Sequence, residues 1–413
     1  MIRITDKSLF SDYGKEVGGG EEAIEPGMVG LLLLGRAGLF GRAAPVCARR
    51  SGKPNLMSPP WKAGFEIELL APRSQSRADL ALRIARLHGG SVRRFFHPQQ
   101  EPSKVPGKPK FESITHGFEA LDSLGHPLAR FVDDVTLQAG LDRSRAPLPG
   151  WYRIVTDDGR LLRLLIRHCE PDAPLDRVLG PIAALFGTAA YADPSGMVKV
   201  SDDRGVSVAI AAPLPGERER ACEIVTPPLG DERDALLCLL LNEARTAGFS
   251  VPLEGATHIH FDAGPLLSAS AIANLVRALS VHGDALKRLV GTNPNCIRLG
   301  KWPDALHTLV ASPGFAALDW PTAQQALATV GLQKYCDFNL LNIATRNPAK
   351  HTFEVRVLPA SLEPEPILDA AELFSSILCW CIERSGESRP VPEDLAGLLV
   401  AIPLTPRARA RSA

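Results

Sequence analysis

The sequence predicts an α+β fold: strands with one acidic and one apolar face, backed by helices. Three observations lead there. Several short stretches alternate polar and apolar residues with a period of two, the longer stretches between them repeat at helical spacing, and no βαβ nucleotide signature links them. The strand that organises the rest is Gly64-Phe65-Glu66-Ile67-Glu68-Leu69-Leu70. Glu66 and Glu68 point to one face and Phe65, Ile67 and Leu69 to the other. Two carboxylates roughly 7 Å apart on a sheet face can hold hard cations through oxygen ligands.

Three later stretches repeat the design. Ala221 to Thr226 carries Glu223 and must stop at Pro227-Pro228, because proline supplies no ladder donor. Thr257 to Asp262 sets His258, His260 and Asp262 opposite Thr257, Ile259 and Phe261. His351 to Val357 sets Glu354 and Arg356 opposite Phe353, Val355 and Val357. Glutamates, imidazoles and a guanidinium thus face one space, and lysine and threonine, common on wet sheet faces, are nearly absent from these positions.

Taken in order, residues 1–56 lack sustained periodicity and read as a loose N-terminal extension, with Met57 the expected natural start. Ser76 and Asp79 form a helix-start signature, Leu80, Ile84 and Leu87 make an apolar stripe, and Gly89-Gly90 end it. Residues 97–110 hold four prolines and are expected to form an extended loop bordering a site. Phe131–Leu137 and Trp151–Thr156 read as strands, and Pro174–Phe186 and Asp231–Gly248 as helices. Helical spacing from Leu267 to Val290 leads to the turn-rich loop 291–298, which delivers Arg298 towards a phosphate. Asn339 and Asn342, just before the Glu354 strand, are either loop polars or substrate contacts. Ile367–Ile382 is an apolar helix suited to the sheet's back, and a tail follows from residue 387.

Lys+Arg and Asp+Glu both number 46, so no global field favours nucleic acid or anionic membrane as a partner. The eight cysteines contain no Cys-x-x-Cys pair and read as reduced thiols of a cytoplasmic protein. No apolar run reaches the ~20 residues of a membrane span. Arg36 interrupts the apolar run 28–40, which speaks against export. Walker, Rossmann and Gly-x-Ser-x-Gly signatures are missing.

The ordered set Glu66-x-Glu68, Glu223-Ile-Val-Thr-Pro-Pro, His258-Ile-His260 and Phe353-Glu354-Val-Arg356 resembles the amidoligase family, over about Ala63 to Ser361. That family is a branch of the carboxylate–amine ligases similar to glutamine synthetase and glutamate–cysteine ligase. The resemblance implies a curved, mainly antiparallel sheet like the glutamine synthetase catalytic domain, helices on one face, and a catalytic domain over 57–386 between the N-terminal extension and a 387–413 tail. It implies ATP with Mg²⁺ or Mn²⁺ as cofactors. Glu66, Glu68, Glu223, His258 and Glu354 match the metal ligands, His260 the histidine near nucleotide phosphate, and Arg356 the arginine that meets the transferring phosphoryl group. Arg298 is expected to join Arg356 in that catalytic, nucleotide-binding role. A further aspartate ligand is expected at Asp157, Asp202 or Asp203.

The implied reaction joins a small-molecule or peptide carboxylate to an amine through an acyl phosphate. Metal-held carboxylates and a forked arginine would stabilise the charge that phosphoryl transfer develops. Two other readings use the same residues: a His/Glu metal-dependent hydrolase without nucleotide, and a non-catalytic relative that binds a nucleotide or peptide.

Overall fold

The computed structural model describes residues 61–102, 110–156, 158–230, 232–296, 298–345, 350–383 and 390–404. The expected start at Met57, the 1–56 extension, Asp157 and the tip of the proline-rich loop lie outside them. The strands, in chain order, are β1 (Ala63–Leu70), β2 (Val92–Pro102), β3 (Lys110–Leu121), β4 (Pro127–Val132), β5 (Tyr152–Thr156) and β6 (Tyr191–Ala192). They continue with β7 (Val198–Ser201), β8 (Ser207–Pro213), β9 (Ala221–Val225), β10 (Ala256–Asp262), β11 (Phe338–Asn339) and β12 (Thr352–Pro359). The helices are α1 (Arg77–Leu87), α2 (Gly159–His168), α3 (Gly180–Leu185), α4 (Arg233–Thr246) and α5 (Ala269–Val290). After them come α6 (Asp304–Ala311), α7 (Trp320–Leu327), α8 (Leu341–Ala344), α9 (Pro364–Glu383) and α10 (Leu395–Ala401).

Among the described residues the strands form one antiparallel sheet in the order β11-β12-β10-β1-β9-β4-β3-β5-β8-β7-β6, with β2 paired to β3. The twelve-residue β3 is its pivot. One edge carries β2 from Val92↔Ala120 to Pro102↔Lys110. The other is divided between β4, paired at Phe118↔Phe131, and β5, paired at Ser113↔Val155. Two limbs therefore leave one strand.

Each limb has its own core. Behind the first, Phe65, Ile67, Leu69, Ile259, Phe261, Phe353 and Val355 are buried with Leu80 and Ile84 of α1, Leu240 of α4, Ile272 of α5 and Phe374 of α9. Behind the second, Phe96, Ile114, Ile154 and Val200 pack on Leu165 of α2 and Ile182 of α3. Ile114 lies in the second core and Phe118 and Ala120 in the first, so both sets of helices cover the same face of β3. The α+β class, the antiparallel sheet and the packed helices agree with the sequence reading.

The expected curvature does not. The sheet is neither closed nor strongly curled: it runs open from β11 to β6, each two residues long, at opposite ends of the path. A sheet rolls up around a single centre, whereas here each limb is held by a separate core. The glutamine-synthetase-like curved sheet is therefore replaced by an open, branched one.

Local chemistry sets the element ends. The Ser76 N–H donates to the Asp79 carboxylate at 2.8 Å, starting α1, and Gly291 closes α5 at φ 68°. The strand expected over Phe131–Leu137 stops at Val132, because Asp134 accepts the Thr136 N–H at 2.6 Å and folds the chain into a turn. Residues 97–102, expected as loop, extend β2 instead. Pro98 is tolerated there because β2 is an edge strand with a partner on one side only. The helix expected over Pro174–Phe186 forms only at Gly180–Leu185.

Candidate metal centre

Register brings the acidic and imidazole groups together. In the antiparallel ladders Glu66 stands opposite His258, Glu68 opposite Glu223, His260 opposite Glu354, and Asn339 opposite Glu354. Side chains at opposed positions share a face with Cβ atoms about 5 Å apart, so four strands suffice to crowd these groups together. The apolar alternates of the same strands are buried beneath the helices, which fixes the polar set on the open side.

The distances are short. His258 Nδ1 lies 3.2 Å from Glu66 Oε2, and His260 Nε2 lies 3.2 Å from Glu66 Oε1. Glu354 Oε1 is 3.7 Å from His258 Nδ1 and 3.8 Å from His260 Nε2. Arg356 Nη1 donates to Glu354 Oε1 at 2.5 Å, and Asn339 Nδ2 to Glu354 Oε2 at 2.7 Å. Two overlapping groups result, Glu66/Glu223/His258 and Glu66/His260/Glu354, each with ligand atoms within 4.8 Å of one another. Glu66 belongs to both.

These groups fit a divalent cation. The donors are mostly carboxylate oxygens with one imidazole per group, a set suited to Mg²⁺ or Mn²⁺. Arg356 Nε is buried without a partner, whereas His260 Nε2 is buried with Glu66 Oε1 as its near neighbour. An orphaned donor such as Arg356 Nε is what an anionic ligand at a metal centre would satisfy.

The electrostatics are divided. Burial opposes the charge of Glu66, yet His260, Lys350 and the hydrogen bonds of both histidines hold its carboxyl well below the usual range. Glu354 behaves alike: against burial, Arg356, His260 and His258 bring it down to about 2. For Glu223, burial and the charges of Glu66, Asp134 and Glu68 outweigh the opposing pull of Lys350 and push it well above the usual value. Burial and Arg356 lower His258, which leaves a neutral imidazole with a lone pair for a metal. His260 is raised: burial works against this, but Glu66 and Glu354 outweigh it.

Of the residues picked out from the sequence, Glu66, Glu68, Glu223, His258, Glu354, Arg298 and Arg356 line a single cavity of about 750 Å³. His260 is buried against Glu66 at its edge. Glu68 falls outside both ligand groups. Its Oε2 accepts the Ala256 N–H at 2.9 Å, and burial with a neighbouring Asp134 carboxyl raises it well above the usual value. Arg298 lines the cavity with its guanidinium 5.4 Å over the Tyr335 ring. Asp262 is exposed at the end of β10 and accepts the Gly264 N–H at 3.0 Å. Asp202 lies in the β7–β8 turn, accepting the Arg204 and Val206 N–H groups, and neither it nor Asp203 lines the cavity.

Three cavity residues escaped the sequence reading. Asp134 lines it where a further aspartate was expected. The Asp-x-Thr turn after Val132 was a signal for a carboxylate at a strand end. His97 also lines the cavity, and its strand alternation, Phe95-x-His97-x-Gln99, is obscured by Pro98. Lys350 had no signal at all, yet its ammonium lies 3.6 Å from Glu66 Oε1.

No described helix is long and apolar enough to cross a membrane, and the seven described cysteines form no disulfide. No curated protein and no solved structure matches the chain significantly. The family model described as "putative amidoligase enzyme" does match, over residues 59–378. That span holds every strand of the sheet and both ligand groups, and the chain belongs to this amidoligase family.

Proposed function

We propose that the protein is a divalent-metal-dependent enzyme of amide-bond chemistry, acting as a carboxylate–amine ligase that uses ATP and passes through an acyl phosphate. The observation that carries this reading is the pair of ligand groups sharing Glu66, with the Arg356 guanidinium bonded to Glu354 beside them. Glu66, Glu223, His258, His260 and Glu354 would hold Mg²⁺ or Mn²⁺, which supplies charge neutralisation to phosphate oxygens. Arg356 is oriented by Glu354 and keeps its buried Nε for an anionic oxygen. Asn339 fixes the other Glu354 oxygen, so that carboxylate is positioned on both sides. Arg298 lines the same cavity and would serve as a second cation for an anionic ligand. The substrates are a small-molecule or peptide acid and amine, and the compartment is the cytoplasm.

The test is calorimetric binding of a non-hydrolysable ATP analogue with Mg²⁺. The ligase reading expects metal-dependent binding that Glu66→Ala abolishes. Absence of binding at millimolar nucleotide would overturn it.

A second reading has its own support: each ligand group carries an imidazole, and the sequence has no recognised nucleotide loop. A metal-dependent amide hydrolase would hold Mn²⁺ or Zn²⁺ tightly and cleave amides with no nucleotide present. Metal-dependent turnover of a peptide library without ATP would select it over the ligase.

A further inference from the structure

Three carboxylates converge on the centre, and three basic groups face them. Two of these are committed. Arg356 is bonded to Glu354 at 2.5 Å, and His260 contacts Glu66 at 3.2 Å from within the sheet. The third, Lys350, is different. Its Nζ stands 3.6 Å from Glu66 Oε1, a looser contact, and its side chain lines the cavity instead of the sheet. Its charge acts on Glu66, Glu354 and Glu223, which are all the carboxylates of both ligand groups. One ammonium therefore addresses the same oxygens that a divalent ion would use.

Resting on the metal reading above, we propose that Lys350 is a built-in counter-ion that a divalent cation must displace from the Glu66 carboxylate, so that this lysine sets the metal affinity of the centre. Within such a group a metal bound to Glu66 lies about 2.2 Å from its oxygen. A metal there and an ammonium 3.6 Å from the same oxygen stand at most about 6 Å apart, and like charges that close repel strongly at a low local dielectric. Lysine suits this role. Its point charge sits on a flexible four-carbon stem that can swing into the cavity, whereas the planar Arg356 guanidinium donates Nη1 to Glu354 at 2.5 Å from within the sheet. His97, Asn339 and Asn342 line the same cavity and leave the stem polar surroundings to move among.

The test compares Mn²⁺ affinity of wild type, Lys350→Met, Lys350→Arg and Glu66→Gln by calorimetry and by the shift of Tm with added Mn²⁺, after chelator treatment. Removing the competing charge is expected to tighten Mn²⁺ binding at least about tenfold in Lys350→Met, or about 1.4 kcal/mol. Lys350→Arg is expected to stay at or weaker than wild type, and Glu66→Gln to lose binding. Equal or weaker Mn²⁺ binding by Lys350→Met, with wild type still binding, overturns the counter-ion role alone. No Mn²⁺ binding by any variant overturns the metal reading with it. Should Lys350→Met fail to fold, Lys350→Gln gives the same comparison with a neutral, polar side chain.

Discussion

At the scale of single residues, the centre holds two kinds of glutamate, and they respond to pH in opposite senses. Glu354 is depressed to about 2, so it contributes stability that is full above the ordinary carboxylate value near 4.5 and is lost as pH falls through about 2. Glu223 is raised, so its burden works the other way: it is absent below about 4.5 and grows as pH climbs towards its folded value. Glu223→Gln, measured with chelator present, is therefore expected to raise Tm at pH 8 and to change it little at pH 4.5. Glu354→Gln is expected to lower Tm at both, because it deprives Arg356 of its partner. Thermal melts of the two variants at both pH values check the signs. Glu223→Gln destabilising equally at pH 4.5 and pH 8 would mean that its carboxylate is ionised and paired.

At the scale of elements, the strands that present the site are fixed from behind by a fully buried arginine. Arg77 opens α1, donates its Nε to the His116 carbonyl of β3 at 3.1 Å, and donates Nη1 to the Ala221 carbonyl of β9 at 3.1 Å and to the Arg218 carbonyl at 2.6 Å. Its guanidinium also lies 4.6 Å over the Trp151 ring. One side chain thereby ties the helix to the pivot strand β3 and to β9 of the first limb, and only a planar fork with several donors reaches all of these carbonyls. Arg77→Lys is expected to cost about 3 kcal/mol, because buried carbonyls lose their donors. Urea unfolding checks this, and a loss under about 1 kcal/mol would show that water or other groups replace it. The sequence gives no hint of this role, because an arginine at a helix start looks like surface charge. What is legible at this scale is periodicity: β1, β9, β10 and β12 and the helices α1, α4, α5 and α9 follow from residues that repeat every two or every 3.6 positions. Illegible are β2, masked by its prolines, and the end of β4, set by one aspartate side chain.

At the scale of the molecule, the site exists only because distant segments pair. Glu66 and Glu354 are brought together through β10, which pairs with both of their strands. Alternation told which residues share a face. It could not tell that β3 divides the sheet into two limbs, because strand order depends on long-range pairing and not on local pattern. Nor could it place Lys350, which reaches Glu66 only once β12 has docked beside β10. The same dependence makes metal binding a measure of global folding. The ligand atoms approach within 4.8 Å only in the paired sheet, so a cation binds the folded chain and not the unfolded one. At a hundredfold excess over its dissociation constant, Mn²⁺ is expected to add about 2.7 kcal/mol to the stability. For a chain of this size that corresponds to a rise in Tm of several degrees, growing with the logarithm of Mn²⁺ concentration. Glu66→Gln removes a ligand common to both groups and is expected to abolish the rise, whereas Asp202→Asn, in the distant β7–β8 turn, should leave it intact. A rise that survives Glu66→Gln would place the cation elsewhere in the molecule.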